Sequence, residues 1–261
     1  SGRHPVLSRF SGRTNVKHIQ TAIASVLAAA TAATATAEAP RTTDASIHSY
    51  ILLDRTGSMS SMWAEALSSV NAYAAGLASL EGGPAVDADV TLAVFDAQEG
   101  LQFDVIRDNV DATKWRNVTD ADASPRGMTP LYDAIGRIVS VAETDRPDKA
   151  VLVIMTDGLE NASRELTREG AKAALDRARE KGWEIVFLGA EFSNFDDAEG
   201  VGQTSSRNMA VSKEQLTESM GRLADKSKAY ANGQEATIEW DAEDRAVAQE
   251  EQVKQRNNSQ R

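Results

Sequence analysis

One short segment limits the possible folds more than any other, because residues 150–155 are apolar at every position. A strand with one face in water would alternate apolar and polar residues, so this pattern predicts a strand that is covered on both faces. Residues 50–53 and 183–190 are predicted to be further buried strands. Strands of this kind are typical of the middle of a parallel sheet that has helices on both faces.

The segments between these strands carry helical patterns. The first has apolar residues spaced by four, three, four and three positions, namely Trp63, Leu67, Val70, Ala74 and Leu77. A second helix is predicted to begin at Pro130, with Thr129 as its N-cap. Helices are also predicted over residues 164–181 and after a capping box formed by Ser212 and Gln215.

The order of elements predicts the fold class. Residues 90–95 and 101–106 are predicted strands with a connection too short for a helical crossover, so they should form an antiparallel hairpin at a sheet edge. Residues 209–211 are a predicted short last strand. The whole predicts an α/β fold: a doubly wound, mostly parallel six-stranded sheet with one antiparallel edge strand and helices on both faces. Such sheets bind ligands beyond the C-terminal ends of the strands, where the winding reverses.

Composition excludes several classes of function. The 261 residues include no cysteine, which excludes disulfides, zinc–thiolate sites and thiol nucleophiles. With only three histidines, a multi-histidine metal centre or a Ser/His catalytic pair is poorly supported. The net charge of −11 argues against a DNA-binding surface, which would be basic, and no long apolar run indicates a membrane span.

Charge and complexity divide the chain into three regions. Residues 1–45 form a basic, Ala/Thr-rich, low-complexity extension, which we interpret as a tail. The alternative is a targeting segment over residues 1–37, which would make the protein an exported one instead of a cytoplasmic one. Residues 46–233 are predicted to be the folded domain, and residues 234–261 a charged C-terminal tail or a surface helix.

Oxygen-bearing side chains cluster at the predicted loops after two buried strands and before one helix. They are Asp54, Thr56, Ser58, Thr129 and Asp157. The C-terminal ends of parallel strands meet at one edge of a sheet, so we expect these side chains to lie together. Two carboxylates and three hydroxyls are hard oxygen donors that suit Mg²⁺, with Mn²⁺ or Ca²⁺ as further possibilities. They do not suit zinc, whose normal ligands are histidine or thiolate.

In this pattern the sequence resembles the von Willebrand factor A (vWA) domain family and its metal-ion-dependent adhesion site (MIDAS). The family motif is Asp-x-Ser-x-Ser, then a distant Thr, then a distant Asp. Thr56 replaces the first Ser and keeps the hydroxyl, Thr129 matches the lone Thr, and Asp157 matches the last Asp. The resemblance covers about residues 46–233 and is nearest to small bacterial and phage single-domain members, which share the wording around Asp54.

The resemblance implies a role in protein binding. In the family the metal keeps one coordination position open, and a Glu or Asp of a partner protein fills it. By the same resemblance, Thr56, Ser58 and Thr129 bind the ion directly, whereas Asp54 and Asp157 act largely through water. The implied function is a magnesium-dependent adhesion or scaffold module that is not an enzyme and does not bind nucleic acid.

Two other functions stay open at this point. Bound magnesium can activate water, so a magnesium-dependent phosphoesterase or related hydrolase is one alternative. Against it, no general base stands out, and Thr56 occupies the position where aspartyl-nucleophile phosphatases need a second Asp. The other alternative is an adaptor subunit for an AAA+ ATPase of the MoxR or chelatase type, which domains of this family resemble.

Four further polar residues lie near the motif. Asp133, Glu160 and Asn161 are candidates for supporting the metal ligands or contacting the partner, and Asp96 ends a predicted strand. We favour the simpler interpretation that each is a solvated residue of a loop or helix start, because such residues are usually exposed.

Overall fold

A computed structural model describes residues 45–81 and 83–259, so the predicted N-terminal extension lies, apart from Ala45, outside the described residues. Six strands form one sheet in the order β3-β2-β1-β4-β5-β6. They are β1 (Ser46–Asp54), β2 (Asp87–Ala97), β3 (Leu101–Asp111), β4 (Ala150–Thr156), β5 (Glu184–Ala190) and β6 (Asn208–Val211). Every neighbouring pair is parallel except β2 and β3, which form the predicted antiparallel edge.

Helices cover both faces of this sheet. Within the described residues they are α1 (Trp63–Ala78), α2 (Leu131–Asp145), α3 (Arg168–Glu180), α4 (Asp196–Gly200), α5 (Leu216–Ala231), α6 (Ala242–Val247) and α7 (Glu250–Ser259). Helices α1 and α5 pack on one face, and α2, α3 and α4 pack on the other. None of these helices is both long enough and apolar enough to cross a membrane.

The two faces explain why the central strands are apolar throughout. In β1, Ile51 and Leu53 join the core beneath α1 and α5, whereas Tyr50 and Leu52 join the core beneath α2 and α3. All four side chains are fully buried. A polar residue at any of these positions would face a helix instead of water. The order of the strands and the helices on both faces of the sheet confirm the predicted fold class.

The segment after α5 belongs to the folded body. Ile238 and Trp240 are buried in the core beneath α1 and α5. The carboxylate of Glu250 in α7 accepts a hydrogen bond from the backbone N–H of Ala210 in the edge strand β6. An edge strand leaves such donors unpaired unless something covers it. The sequence predicted either a tail or a surface helix for residues 234–261. The structure has two short helices there, α6 and α7, and they cover this edge.

Two predicted helix starts are wrong in detail. The capping box of Ser212 and Gln215 does not form, because the Ser212 hydroxyl donates to the carboxylate of Glu214 instead. Helix α3 begins at Arg168, later than predicted, because Thr167 is extended and acts as its N-cap, with its hydroxyl accepting the Gly170 N–H. The three N–H groups of residues 164–166 donate to the carboxylate of Asp133.

A buried polar chain lies at the N-terminal edge of the sheet, opposite the strand ends that carry the motif. Tyr50 donates its hydroxyl proton to Asp145 (3.0 Å) and lies 3.1 Å from Nδ1 of His48, whose Nε2 lies 2.8 Å from the hydroxyl of Thr91. His48 is only 6% exposed. Burial lowers the pKa of His48 to about 4, although Asp145 acts in the opposite direction.

This burial predicts an acid-sensitive stability. The folded pKa of His48 lies below the unfolded value near 6.5, so the folded state favours the neutral ring. Stability from this group is complete above pH 6.5 and is lost as the pH falls towards 4, by up to about 3 kcal/mol. We expect His48→Gln, which keeps an acceptor and a donor, to flatten the unfolding free energy between pH 6.5 and 4 in urea titrations. Parallel pH profiles for the two proteins would contradict this prediction.

Candidate metal centre

The motif segments meet where the winding of the sheet reverses. From β1 the chain winds towards β2 on one side, and from β4 it winds towards β5 on the other. Strands β1 and β4 are adjacent and parallel, with Leu53 paired in register with Met155. Asp54 and Asp157 therefore leave neighbouring strands at the same edge of the sheet.

Asp54 is buried and held at both carboxylate oxygens. Oδ1 accepts the backbone N–H of Thr56 at 2.8 Å, and Oδ2 accepts the hydroxyl of Thr156 at 2.7 Å. The second bond crosses from β1 to the end of β4, so it ties the first motif segment to the last. Asp54 is fully buried, which argues against a nucleophile that attacks a substrate in the manner of an aspartyl phosphatase.

A chain of hydroxyl contacts continues from this anchor towards the surface. Oγ1 of Thr56 lies 3.1 Å from Oγ of Ser58, and Ser58 donates to Oδ1 of Asp157 at 2.8 Å. Ser58 and Asp157 are 99 positions apart in the sequence. Four of the five predicted residues thus form one connected group, which runs from buried Asp54 to exposed Ser58.

Thr129 approaches the same group from the loop before α2. Asn161 fixes it at two points, because its Oδ1 accepts the Thr129 N–H at 2.9 Å and its own N–H donates to the Thr129 carbonyl at 3.0 Å. Oγ1 of Thr129 lies 3.8 Å from the position that a Cβ atom on Gly158 would occupy. Gly158 follows Asp157 directly, so all five predicted residues belong to one region.

The predicted role of Thr129 as an N-cap is wrong. The N-cap of α2 is Pro130, and no side chain of that residue or of Thr129 bonds to the helix start. Side chains from the loop after β4 cap the helix instead. Glu160 accepts the N–H of Tyr132, and Ser163 accepts the N–H of Asp133. The hydroxyl of Thr129 is therefore not committed to the helix.

The interpretation of the flanking polar residues as solvated is wrong for Asp133, whereas Glu160 is half-buried and Asn161 is exposed although both form specific hydrogen bonds. The Glu160 carboxylate accepts four hydrogen bonds, three from backbone N–H groups and one from the Ser163 hydroxyl. Asp133 is 3% exposed, and its carboxylate accepts three backbone N–H groups. Asn161 holds Thr129 as described above. These residues shape the loops that carry the candidate ligands.

A charged cluster on the β2 side holds the first motif segment in place. Arg55 is 4% exposed and donates to Asp96 at 2.7 Å and to Asp104 at 2.5 Å. Asp96 is fully buried, so its interpretation as solvated is wrong, and it also faces Arg126 at 3.3 Å. Arg55 and Thr156 were not predicted from the sequence. Their only signal was their position, each beside a motif residue at a strand end.

The loop before Thr129 depends on one glycine. Gly127 has a φ of +72°, and its carbonyl accepts the N–H of Gly57. A Cβ atom on Gly127 would lie 2.5 Å from the carbonyl oxygen of Ala97 and 2.7 Å from the carboxylate of Asp96. The close approach joins the loop to the end of β2 and to the first motif segment, and only glycine permits it.

Burial disfavours the charged forms of both carboxylates of the group. Burial raises the pKa of Asp54 to about 7, against the hydrogen bonds from Thr156 and Thr56, and burial also raises the pKa of Asp157. No basic side chain contributes to either shift within the described ranges. A cation would stabilise the charged forms of this buried and this half-buried carboxylate.

The donor set fits a hard divalent cation. Carboxylate and hydroxyl oxygens suit Mg²⁺, Mn²⁺ and Ca²⁺. The oxygens of Thr56, Ser58 and Asp157 are within hydrogen-bond distance of one another, 3.1 Å and 2.8 Å, so they already lie close together. In the described part of the chain no three acidic or histidine side chains form a metal site. That finding does not bear on a site made of two carboxylates and three hydroxyls.

Comparisons with known proteins identify the fold. No protein-family model matches the sequence, and no curated protein matches it. The vWF domain of the type V pili tip protein Mfa5 from Porphyromonas gingivalis aligns with a TM-score of 0.53 and 10% identity, over 69% of this chain and 94% of that one. The pilus adhesin SpaC from Lactobacillus rhamnosus GG aligns with a TM-score of 0.54 and 11% identity, over 71% of this chain and 31% of that one.

A third structure, the D319A mutant of the PilB minor pilin from Streptococcus sanguinis, aligns with a TM-score of 0.50 and 15% identity. This chain spans 65% of the pilin's length and less than a third of SpaC. At these identities the likeness establishes a vWA-like fold. What the chain binds must be argued from its own site.

The role of Gly127 can be tested by comparison with a second glycine. Gly182 has a similar φ of +77° but no atom within 4 Å of an added Cβ. Gly182→Ala should therefore lose only the cost of the left-handed conformation, about 1 kcal/mol. Gly127→Ala should lose at least about 1 kcal/mol more, because its Cβ meets backbone and carboxylate atoms. Equal unfolding free energies for the two variants in urea titrations would show that the close approach is unimportant.

Proposed function

We propose that the chain is a divalent-metal-dependent protein-binding module that captures an acidic side chain of a partner protein. The proposed metal ligands are Asp54, Thr56, Ser58, Thr129 and Asp157, within a domain that begins at residue 46. We propose Mg²⁺ as the ion, with Mn²⁺ or Ca²⁺ as the alternatives, because every donor of the group is a carboxylate or hydroxyl oxygen. The observation that carries the proposal is the 2.8 Å contact between Ser58 and Asp157, which joins the first and last motif segments.

The contacts of each side chain support a division of labour within the site. Both oxygens of Asp54 already accept hydrogen bonds, and the residue is fully buried, so Asp54 is suited to act on a cation through its charge. Thr56, Ser58 and Thr129 offer neutral hydroxyl oxygens. A cation held mostly by neutral oxygens keeps a strong attraction for an incoming anion, and this attraction is the chemistry that the bound ion supplies.

The chain's own residues then fix where the partner's carboxylate enters. Ser58 is exposed, whereas Thr56 and Thr129 are 1% and 3% exposed. The open side of the group therefore lies beside Ser58. Because the Glu160 and Asn161 contacts hold the loops in place before any partner binds, little ordering cost is left for association.

The metal assignment predicts selective loss of magnesium binding. In isothermal titration calorimetry, Thr56→Val and Asp157→Asn should each bind Mg²⁺ at least about tenfold more weakly than the wild type, about 1.4 kcal/mol. Both substitutions keep the shape of the side chain. Asp145→Asn, the same change at the opposite edge of the sheet, should bind magnesium as the wild type does. Equal magnesium affinity in all four proteins would refute the ligand set.

Capture of a carboxylate predicts metal-dependent binding that a simple carboxylate inhibits. Proteins retained on the immobilised chain in Mg²⁺ should be released by a chelator and by high acetate, but not by the same concentration of chloride. A chain carrying Asp157→Asn should retain none of them. Retention that ignores both chelator and acetate would contradict the proposal, and so would magnesium-dependent hydrolysis of p-nitrophenyl phosphate that Asp54→Ala abolishes.

A further inference from the structure

Large apolar side chains are exposed at few places on this protein, and two of them border the candidate metal centre. Among residues 45–81 and 83–259, the exposed ones are Leu80 (65%), Met128 (54%), Val105 (42%) and Leu159 (38%). Met128 immediately precedes Thr129, and Leu159 immediately follows Gly158. Single exposed apolar residues are ordinary on protein surfaces, but two at the rim of one site call for an explanation.

The backbone holds both residues in place, so their exposure does not come from loose loops. Met128 forms a two-way backbone pair with Ala97, at 2.9 and 3.2 Å. Leu159 lies between Gly158 and Glu160, and the N–H of Glu160 donates to Asp197 at 2.8 Å. Because the neighbours of both residues are fixed, the two side chains are presented on a rigid frame.

The two residues flank one contact. Thr129 Oγ1 lies 3.8 Å from the Cβ position of Gly158, and each of these residues has one of the apolar side chains as its neighbour. Met128 and Leu159 are therefore each one residue away from the point where the loop before α2 meets the loop after β4. We refer to Met128 and Leu159 together as the apolar rim.

A positively charged group lies along the same loop. Arg126 is two residues before Met128, its side chain is 44% exposed, and it faces Asp96 at 3.3 Å and Asp104 at 3.9 Å, both of which also pair with Arg55. A partner that brings a carboxylate to the centre would thus meet a charge-balanced cluster on the β2 side and apolar side chains at the rim. This combination suits an acidic residue embedded in an apolar sequence.

We infer that the partner is a protein segment in which one Glu or Asp is flanked by large apolar residues that pack on Met128 and Leu159. The inference rests on the proposed function, because the carboxylate is what brings the segment to the site. Methionine suits such a rim, since its flexible thioether adapts to different apolar shapes. Apolar contact around a polar anchor also excludes water from the anchor, which strengthens it.

A peptide array tests this preference directly. The probes are immobilised peptides with a central Glu flanked on both sides by Leu, Ser or Lys, incubated with the full chain in Mg²⁺ or in chelator. The Leu-flanked peptides should bind at least about tenfold more strongly than the Ser-flanked peptides, a difference of about 1.4 kcal/mol. All binding should disappear with the chelator and with a central Gln in place of Glu.

Variants then assign the preference to the apolar rim. The double variant Met128→Gln, Leu159→Gln should bind Mg²⁺ as the wild type does in calorimetry and keep the weak binding to Ser-flanked peptides. It should lose the preference for Leu. Leu80→Gln, the same kind of change at an exposed residue beyond the end of α1, should retain the preference.

The possible results separate two failures. Metal-dependent binding of Glu peptides without preference for Leu, or with a preference that the double variant keeps, overturns the apolar rim and leaves the proposed function standing. Binding of no Glu peptide in Mg²⁺ overturns both. Self-association of the chain that the double variant abolishes would assign the rim to a second copy of this protein and would overturn the inference of a different partner.

Discussion

The hydrogen bond from Thr156 to Asp54 is the contact on which the candidate site depends. It joins the ends of β1 and β4, the two strands between which the sheet reverses its winding. Parallel strands expose a row of loop starts at one edge, and only at the reversal do the two following connections diverge and leave a crevice. The buried carboxylate of Asp54 is acceptable there because Thr156 and the backbone N–H of Thr56 compensate for part of its lost hydration.

A second layer of contacts turns this crevice into a defined group. The loop before α2 has no regular secondary structure, yet Asn161 holds Thr129 at two points and Gly127 pins the loop against the end of β2. Glu160 supplies the N-terminal hydrogen bond that α2 would otherwise take from its own cap. Because side chains of the loop after β4 cap α2, the Thr129 hydroxyl is not used for capping. The same loop contacts thus cap the helix and position the site.

The periodicity of apolar residues in the sequence was sufficient to predict the parallel sheet and the edge at which the motif segments meet. Residues 150–155 must be buried on both faces, because no position offers a side chain to water, and from this the parallel sheet follows. The proximity of Asp54 to Asp157 follows from the sheet in turn. Nothing in the periodicity indicates that Asp133 and Glu160 turn inwards, because a carboxylate that accepts three backbone N–H groups resembles a solvated one in sequence.

The same limit explains the other differences between prediction and structure. Thr129 before Pro130 fits an N-cap pattern, yet the structure uses Glu160, which lies about thirty residues later, so the correct donor–acceptor pair depends on tertiary contacts. The Ser212 hydroxyl bonds to the nearby carboxylate of Glu214 and so does not cap the helix, a preference that the capping-box pattern does not indicate. The covering of β6 by α6 and α7 was likewise hidden, because their sequence is mostly polar and only a few residues such as Trp240 anchor it.

Electrostatics bears on whether such a chain can recognise an acidic partner at all. Its net charge is −11, so a carboxylate approaching from a distance is repelled. At physiological ionic strength that repulsion decays over about 8 Å, and contacts at the site decide the outcome. There burial disfavours the charged forms of Asp54 and half-buried Asp157, which a cation would stabilise, and the apolar rim adds attraction that is independent of charge. Such a site would discriminate against partners that are merely acidic. It would favour partners that place one carboxylate within an apolar segment, because only they gain from both kinds of contact.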